Sequence, residues 1–166
     1  MMNNVTMEVR LVRIKESSFN LQADHKTEKI LQVKDLQVGI NINTIPFLLN
    51  NQIKLRITID YHYIDNTILV EPLFYSMEIW FDVRDLANFV EEKGENVLIK
   101  HELLSMLLGV SIGTIRGMMA HRCKNTVFEN YPLPLINVTH LMANLQNNNH
   151  PEKNIDIPPI FLSKIH

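Results

Sequence analysis

Three glycines, Gly109, Gly113 and Gly117, recur every four residues inside an apolar run from Leu103 to Arg122. That interval places them on one face of a helix. A glycine in a helix interior costs roughly 1 kcal/mol relative to alanine, so three in register predict that another backbone approaches this face closely. Most other positions are Leu, Ile, Val or Met. The helix is therefore expected to lack a wet face and to be buried nearly all round, with a subunit contact as one way of covering it. A membrane span fits less well, because it needs about 20 apolar residues and the uncharged run stops at Arg116. Gly109-Val110-Ser111-Ile112-Gly113 also matches the nucleophile elbow of α/β-hydrolases, a strained strand-to-helix turn among alternating strands and helices. Here the motif lies inside a helical pattern, the strand-like segments precede Ser111, and Asp156 and His166 fall in an irregular tail.

A chain of 166 residues, 46% of them hydrophobic, suits one domain with a substantial core. Sixteen Lys and Arg against eighteen Asp and Glu leave a formal charge of −2. No basic block stands out, which argues against a nucleic-acid partner. The N-terminal residues show neither the charged nor the apolar region of a secretory signal, and the single Cys123 excludes an internal disulfide. A cytoplasmic location is the expectation.

The first half of the chain reads as strands. Val5, Met7, Val9 and Leu11 alternate with polar residues, the phase changes through Val12 and Ile14 as at a bulge, and Phe19 and Leu21 extend the strand. A polar stretch follows from Asp24 to Lys29. Leu36, Val38, Ile40 and Ile42 then alternate with Gln37, Gly39, Asn41 and Asn43, the pattern of a half-buried strand. Ile45-Pro46-Phe47-Leu48-Leu49 interrupts this alternation and predicts an apolar crossover. Beyond it, Ile53 to Tyr63 and Thr67 to Phe81 form a long hairpin around Asp65-Asn66. Pro72 shifts the apolar phase of the return strand, as a bulge or an edge position allows.

The second half reads as helical. A charged link from Arg84 to Gly94 leads to the long helix, which ends near Lys124-Asn125-Thr126. Tyr131-Pro132-Leu133-Pro134-Leu135-Ile136-Asn137 is too rich in proline for a helix and too apolar for a free linker, so it should lie extended on the core. Thr139 caps a second, shorter helix carrying Leu141, Met142 and Leu145, broken at Asn147-Asn148-Asn149-His150-Pro151. The fold class is thus α+β, a four-stranded antiparallel sheet followed by a long and a short helix.

In that order the chain resembles the SecB family of protein-export chaperones and its divergent relatives, over Val5 to Leu145. The resemblance rests on Arg13-Ile14 followed by Ser18-Phe19, the long hairpin, Arg116 in the long helix, and Leu133-Pro134-Leu135-Ile136-Asn137 leading to Leu141-Met142. Gly109, Ser111 and Gly113 replace the family's prolines, and Val138 stands where the family often has one. The resemblance implies one SecB-like domain over residues 1–150 with a tail at 151–166, assembled as a dimer or a dimer of dimers, the homotetramer. It implies an oligomer interface at Gly109, Gly113, Gly117 and Arg116. It also implies a chaperone that binds unfolded or non-native polypeptide without ATP, cofactor or metal, whether preprotein or a dedicated client such as an antitoxin. The residues suited to an apolar groove are Phe47, Leu48 and Leu49 in the crossover, Phe74 and Trp80 on the minority face of the fourth strand, and Leu141, Met142 and Leu145. Met and aromatic side chains adapt to varied partners, and a surface crossover with three large apolar residues makes a patch of the sort that marks a binding site. The tail does not resemble the segment through which SecB engages SecA. Asp82, Asp85, Glu91 and Glu92 cluster after the fourth strand, a pattern that a solvated face also gives.

Little in the sequence favours catalysis. His101-Glu102 lacks the second histidine of a zinc-protease helix, His121 and Cys123 supply two ligands where a structural site needs four, and the histidines at 25, 62, 140, 150 and 166 are scattered as surface residues. The expectation is a non-enzyme. Its alternative to a chaperone is a non-catalytic adaptor or structural module that binds one folded protein with the same sheet.

Overall fold

The computed structural model describes residues 6–32, 35–147 and 160–162. Alternating apolar residues pull the first half of the chain into one antiparallel sheet. Its strands are β1 (Val9–Leu21), β2 (Leu36–Phe47), β3 (Gln52–Asp65) and β4 (Ile68–Val83), and the short β7 (Ile160–Leu162) adds to β2. The order across the sheet is β1-β4-β3-β2-β7. The first four strands, the long helix and the short helix are those expected from the sequence.

Side chains at alternate positions fill one face: Leu36, Val38, Ile40 and Ile42 from β2, Ile53 to Tyr63 from β3, and Leu73 to Val83 from β4. The helix α1 (His25–Leu31), the helix α2 (His101–Arg122) and the helix α3 (Val138–Asn147) contribute to the same core through Leu31, Leu107, Ile115, Leu141 and Met142 among others. Within β1 the register slips between Leu11 and Arg13 and again between Glu16 and Ser18, so the phase change at Val12 is a bulge. Pro72 sits at a third irregularity. Between Tyr61/Leu73 and Tyr63/Val70, β4 has one residue more than β3. The edge position applies locally as well: β4 is an inner strand over most of its length, but its register with β1 ends at Leu21 and Leu73, and only the Gln22 N–H reaches the Pro72 carbonyl, at 2.7 Å. The β3–β4 turn turns on Asn66 and Thr67, both left-handed with φ 47° and 73°, as a tight hairpin requires.

Several local expectations are corrected. The polar stretch at Asp24 forms α1, with the Asp24 carboxylate accepting from the Thr27 N–H at 2.7 Å. The predicted crossover is a hairpin. Strand β2 continues through Pro46 to Phe47, which lies opposite Gln52, and a single 3₁₀ turn at Leu48–Asn50 reverses the chain. The end of the charged link and the apolar Val97-Leu98-Ile99 that follows it form a second, two-stranded sheet of β5 (Val90–Lys93) and β6 (Asn96–Ile99), turned at Gly94 with φ 63°. The cap of α3 is Asn137 and not Thr139. The Asn137 Oδ1 accepts from the N–H groups of Thr139 at 3.0 Å and His140 at 3.3 Å.

The proline-rich segment lies extended on the core as expected. Tyr61 donates its hydroxyl to the Tyr131 carbonyl at 2.9 Å, and Tyr131 donates its own to the Leu31 carbonyl at 3.2 Å. Arg116 donates to the carbonyls of Leu133 and Pro134 at 3.2 and 2.6 Å. Tyr61 thus ties the extended segment to the sheet, Tyr131 ties α1 to the segment and Arg116 ties the segment to α2, each supplying a donor that a carbonyl away from water needs.

The expectation for α2 is overturned within the chain. Leu103, Leu104, Leu107, Leu108, Ser111, Ile112, Ile115 and Met119 are buried, whereas Met106, Gly109, Val110, Gly113 and Gly117 are exposed. No atom of another part of the described chain lies within 4 Å of where a Cβ on Gly109, Gly113 or Gly117 would stand. By length and composition α2 could cross a membrane; here it packs one face on the sheet and the other faces outward.

Candidate functional site

The register of β2, β3, β4 and β1 sets three of the predicted site residues, Phe47, Phe74 and Trp80, in rows across the outer face of the sheet, which no described helix covers. Ile45, Lys54, Trp80 and Arg13 lie side by side in one row, and Phe47, Gln52, Asp82 and Arg10 in the next row toward the hairpin end. On the other side of the Trp80 row come Asn43, Arg56, Glu78 and Lys15. Trp80 is half-buried because cations cover it, the Arg13 guanidinium 4.9 Å and the Lys54 ammonium 5.5 Å from the ring centroid. Such stacking is favourable because the ring face carries negative charge. Glu78 is buried beneath Arg56 and Lys54, at 2.5 and 3.5 Å. The hydrogen bond from Arg56 holds its carboxyl below the usual carboxylate range, and Lys54 adds to this. Asp82 is likewise held low, first by Arg10 at 2.5 Å and then by Gln52 at 2.8 Å. Arg13 and Lys15 are left with no ion pair to a described acid, so this end of the outer face is cationic.

Phe74 lies elsewhere. It shares a row with Gly39, Asp60 and Asn20, six residues from Trp80, which is roughly 20 Å along a strand. In the same row Asp60 accepts from His62 or pairs with it at 2.6 Å, so His62 is a half-buried partner and not a loose surface residue.

The hairpin turn presents Phe47 and Leu49 to the outside, with Leu49 wholly exposed and Phe47 38% exposed, while Leu48 folds back against the core. Near this end of β2 a cleft of about 650 Å³ is lined by Thr44, by Glu91 and Lys93 of β5, by Val97, Leu98 and Ile99 of β6, and by Lys100, His101, Glu102 and Leu104 at the start of α2. Leu141 and Met142 are core, each 2% exposed, and the side chain of Leu145 lies outside those described. The eight candidate groove residues are thus not one site. The turn, the outer face and the interior each hold some of them.

Three features escaped the sequence reading. The cations around Trp80 come from two separate strands, β1 and β3, so no linear basic block announces them. The cleft depends on the β5–β6 hairpin, whose only local signal is the Gly94-Glu95 turn between Val90 and Ile99. The third is the seat of β7 on β2, since Ile160-Phe161-Leu162 carries no period.

Chemistry at the catalytic candidates is meagre. Ser111 is fully buried in α2 with no hydrogen-bond partner for its Oγ among the described residues. Cys123 is buried and free, and burial pushes its thiol up to about 11. Among the described residues no three His, Cys, Asp or Glu side chains gather as a metal site would need. Asp82, Asp85, Glu91 and Glu92 do not form one cluster, since Asp82 pairs with Arg10 on the outer face and Glu91 lines the cleft. Searches against family models, curated proteins and solved structures match nothing.

Proposed function

We propose that this protein is a SecB-like chaperone that holds unfolded or non-native polypeptide without ATP. The observation that carries the reading is the hairpin turn at the end of the sheet, where Phe47 and Leu49 are exposed together; the cleft lined by Val97, Leu98, Ile99 and Leu104 opens near the same end of β2 but on the helix side of the sheet, at Thr44. Large apolar side chains cost free energy in water at about 25 cal/mol per Å², and their concentration at one place on a folded surface marks a contact surface for another chain. The open glycine face of α2 supports the assembly that belongs to this reading. A second copy packed there would supply the close backbone approach that three glycines in register call for.

Aggregation of an unrelated, thermally unfolding polypeptide tests the proposal. The protein alone should suppress it without nucleotide, and Phe47→Ser/Leu49→Ser should suppress it several-fold less at unchanged circular dichroism. Surface substitutions of this kind usually move stability by less than about 0.5 kcal/mol. Protection confined to one folded partner, with no effect on unrelated clients, would establish the adaptor alternative, which the ordered ion pairs around Trp80 suit.

A further inference from the structure

An outer sheet strand exposes a row of backbone donors and acceptors on which another strand can form. On the side of β2 away from β3, the chain itself uses this property. Leu36, Gln37 and Val38 pair antiparallel with Leu162, Phe161 and Ile160 of β7. No other described strand pairs with that side of β2, and from Ile42 to Ile45 it stays uncovered by any described strand. Pro46 ends the useful stretch because it has no N–H to donate. The cleft opens at the same place, since Thr44 forms part of its wall beside Val97, Leu98, Ile99 and Leu104.

We infer that the outer rim of β2 is the acceptor for an extended apolar segment of client polypeptide, added antiparallel with side chains entering the cleft, and that Ile160–Leu162 holds the far end of that rim as an internal competitor. The inference rests on the polypeptide-binding reading and specifies its mode. Strand addition combines main-chain hydrogen bonds, which tolerate any sequence, with pockets for alternate side chains. The occupant's chemistry comes from the structure, because the segment seated on the rim is itself an apolar tripeptide run. From Leu36 to Ile45 the rim spans roughly 30 Å at about 3.3 Å per residue. A short client strand seated over Ile42–Ile45 never meets β7, whereas one of about ten residues must displace it. A competitor of three paired residues is easily displaced, since so short a strand makes few ladder bonds.

The test uses the full chain and its Ile160→Pro/Phe161→Pro variant, whose adjacent prolines remove the N–H at both phases of β7. The probes are fluorescent peptides of alternating valine and threonine, five or ten residues long, and a ten-residue peptide with alternate amides N-methylated. The variant should bind the ten-residue peptide about three- to tenfold more tightly, the gain expected when a rim mostly occupied by the tail is freed. The five-residue peptide should bind both proteins equally, and N-methylation should weaken binding at least about tenfold because the ladder bonds are lost. Equal affinity of both proteins for the ten-residue peptide, or undiminished binding of the N-methylated one, overturns the inference. If aggregation is still suppressed in that case, the chaperone reading stands without it. If strand addition behaves as expected but unrelated clients still aggregate, the rim inference stands and the chaperone reading falls. A change from dimer to monomer in the double-proline variant would show that β7 sits on a neighbouring copy, which overturns the internal competitor.

Discussion

Ser111, inside α2, and Cys123, which caps its C-terminal end, show how burial decides what a reactive side chain can do. A buried hydroxyl without a hydrogen-bond partner costs about 1–3 kcal/mol, and Ser111 is in that condition at 0% exposure. Ser111→Ala should therefore leave the thermal midpoint unchanged or raise it, by up to about 1 kcal/mol of stability, and a fluorophosphonate probe should fail to label the native protein. A fall in stability of the alanine variant would mean that the hydroxyl has a partner. For Cys123 the thiolate is the reacting species, and burial holds its thiol near 11. Compared with an unfolded thiol near 8.5, the thiolate fraction at pH 8 is about two orders of magnitude lower. Modification by a chromogenic disulfide reagent should be slowed at least that much in the native state and released by denaturant.

At the scale of the element, α2 carries a contradiction that an experiment resolves. Its glycines lie in open space within the chain, so alanine at Gly109 or Gly113 meets no obstacle and should stabilise an isolated subunit by up to about 1 kcal/mol at each site. A partner helix or sheet seated on this face would meet the new side chains. Gly113→Leu should then leave the subunit folded while native mass spectrometry shows a smaller assembly than wild type. A wild-type monomer at micromolar concentration would remove the interface. The short helix α3 behaves oppositely: Leu141 and Met142 are core, so alanine at either should cost about 2–5 kcal/mol, against almost nothing for serine at Leu49. Chemical denaturation of the three variants separates them. The sequence offered Leu141 and Met142 as residues of an apolar groove, and the structure spends both on the interior.

Across the whole molecule, carboxylates on separate elements share one electrostatic condition. Glu78 is held low by Arg56 and Lys54, Asp82 by Arg10 and Gln52, and Asp24 by the Thr27 N–H at the start of α1. A carboxylate whose folded pKa lies below its unfolded one stabilises the fold at pH above the unfolded value, and that contribution is lost as pH falls through the folded one. Stability should thus be level from neutrality to about pH 5 and fall below the ordinary values of 4.5 for Glu78 and 3.8 for Asp82. Glu78→Gln should be less stable at pH 7 and show a shallower fall with acid, as urea midpoints at a series of pH values will report. An equal slope in wild type and variant would refute the role of Glu78. The two-residue alternation of Ile53 to Tyr63, the four-residue spacing in α2 and the turn signal at Asp65-Asn66, which falls one residue before the observed turn at Asn66 and Thr67, are local, so the sequence alone determined the four long strands, the long helix and the α+β class. Only the tertiary structure decided which strands became neighbours. That choice placed β4 inside the sheet, set Arg13 and Lys54 beside Trp80, drew Leu141 and Met142 inward, left the glycines open and laid β7 on the rim of β2. Pairing register and burial are settled by residues far apart in the chain, and no short window of sequence contains both partners.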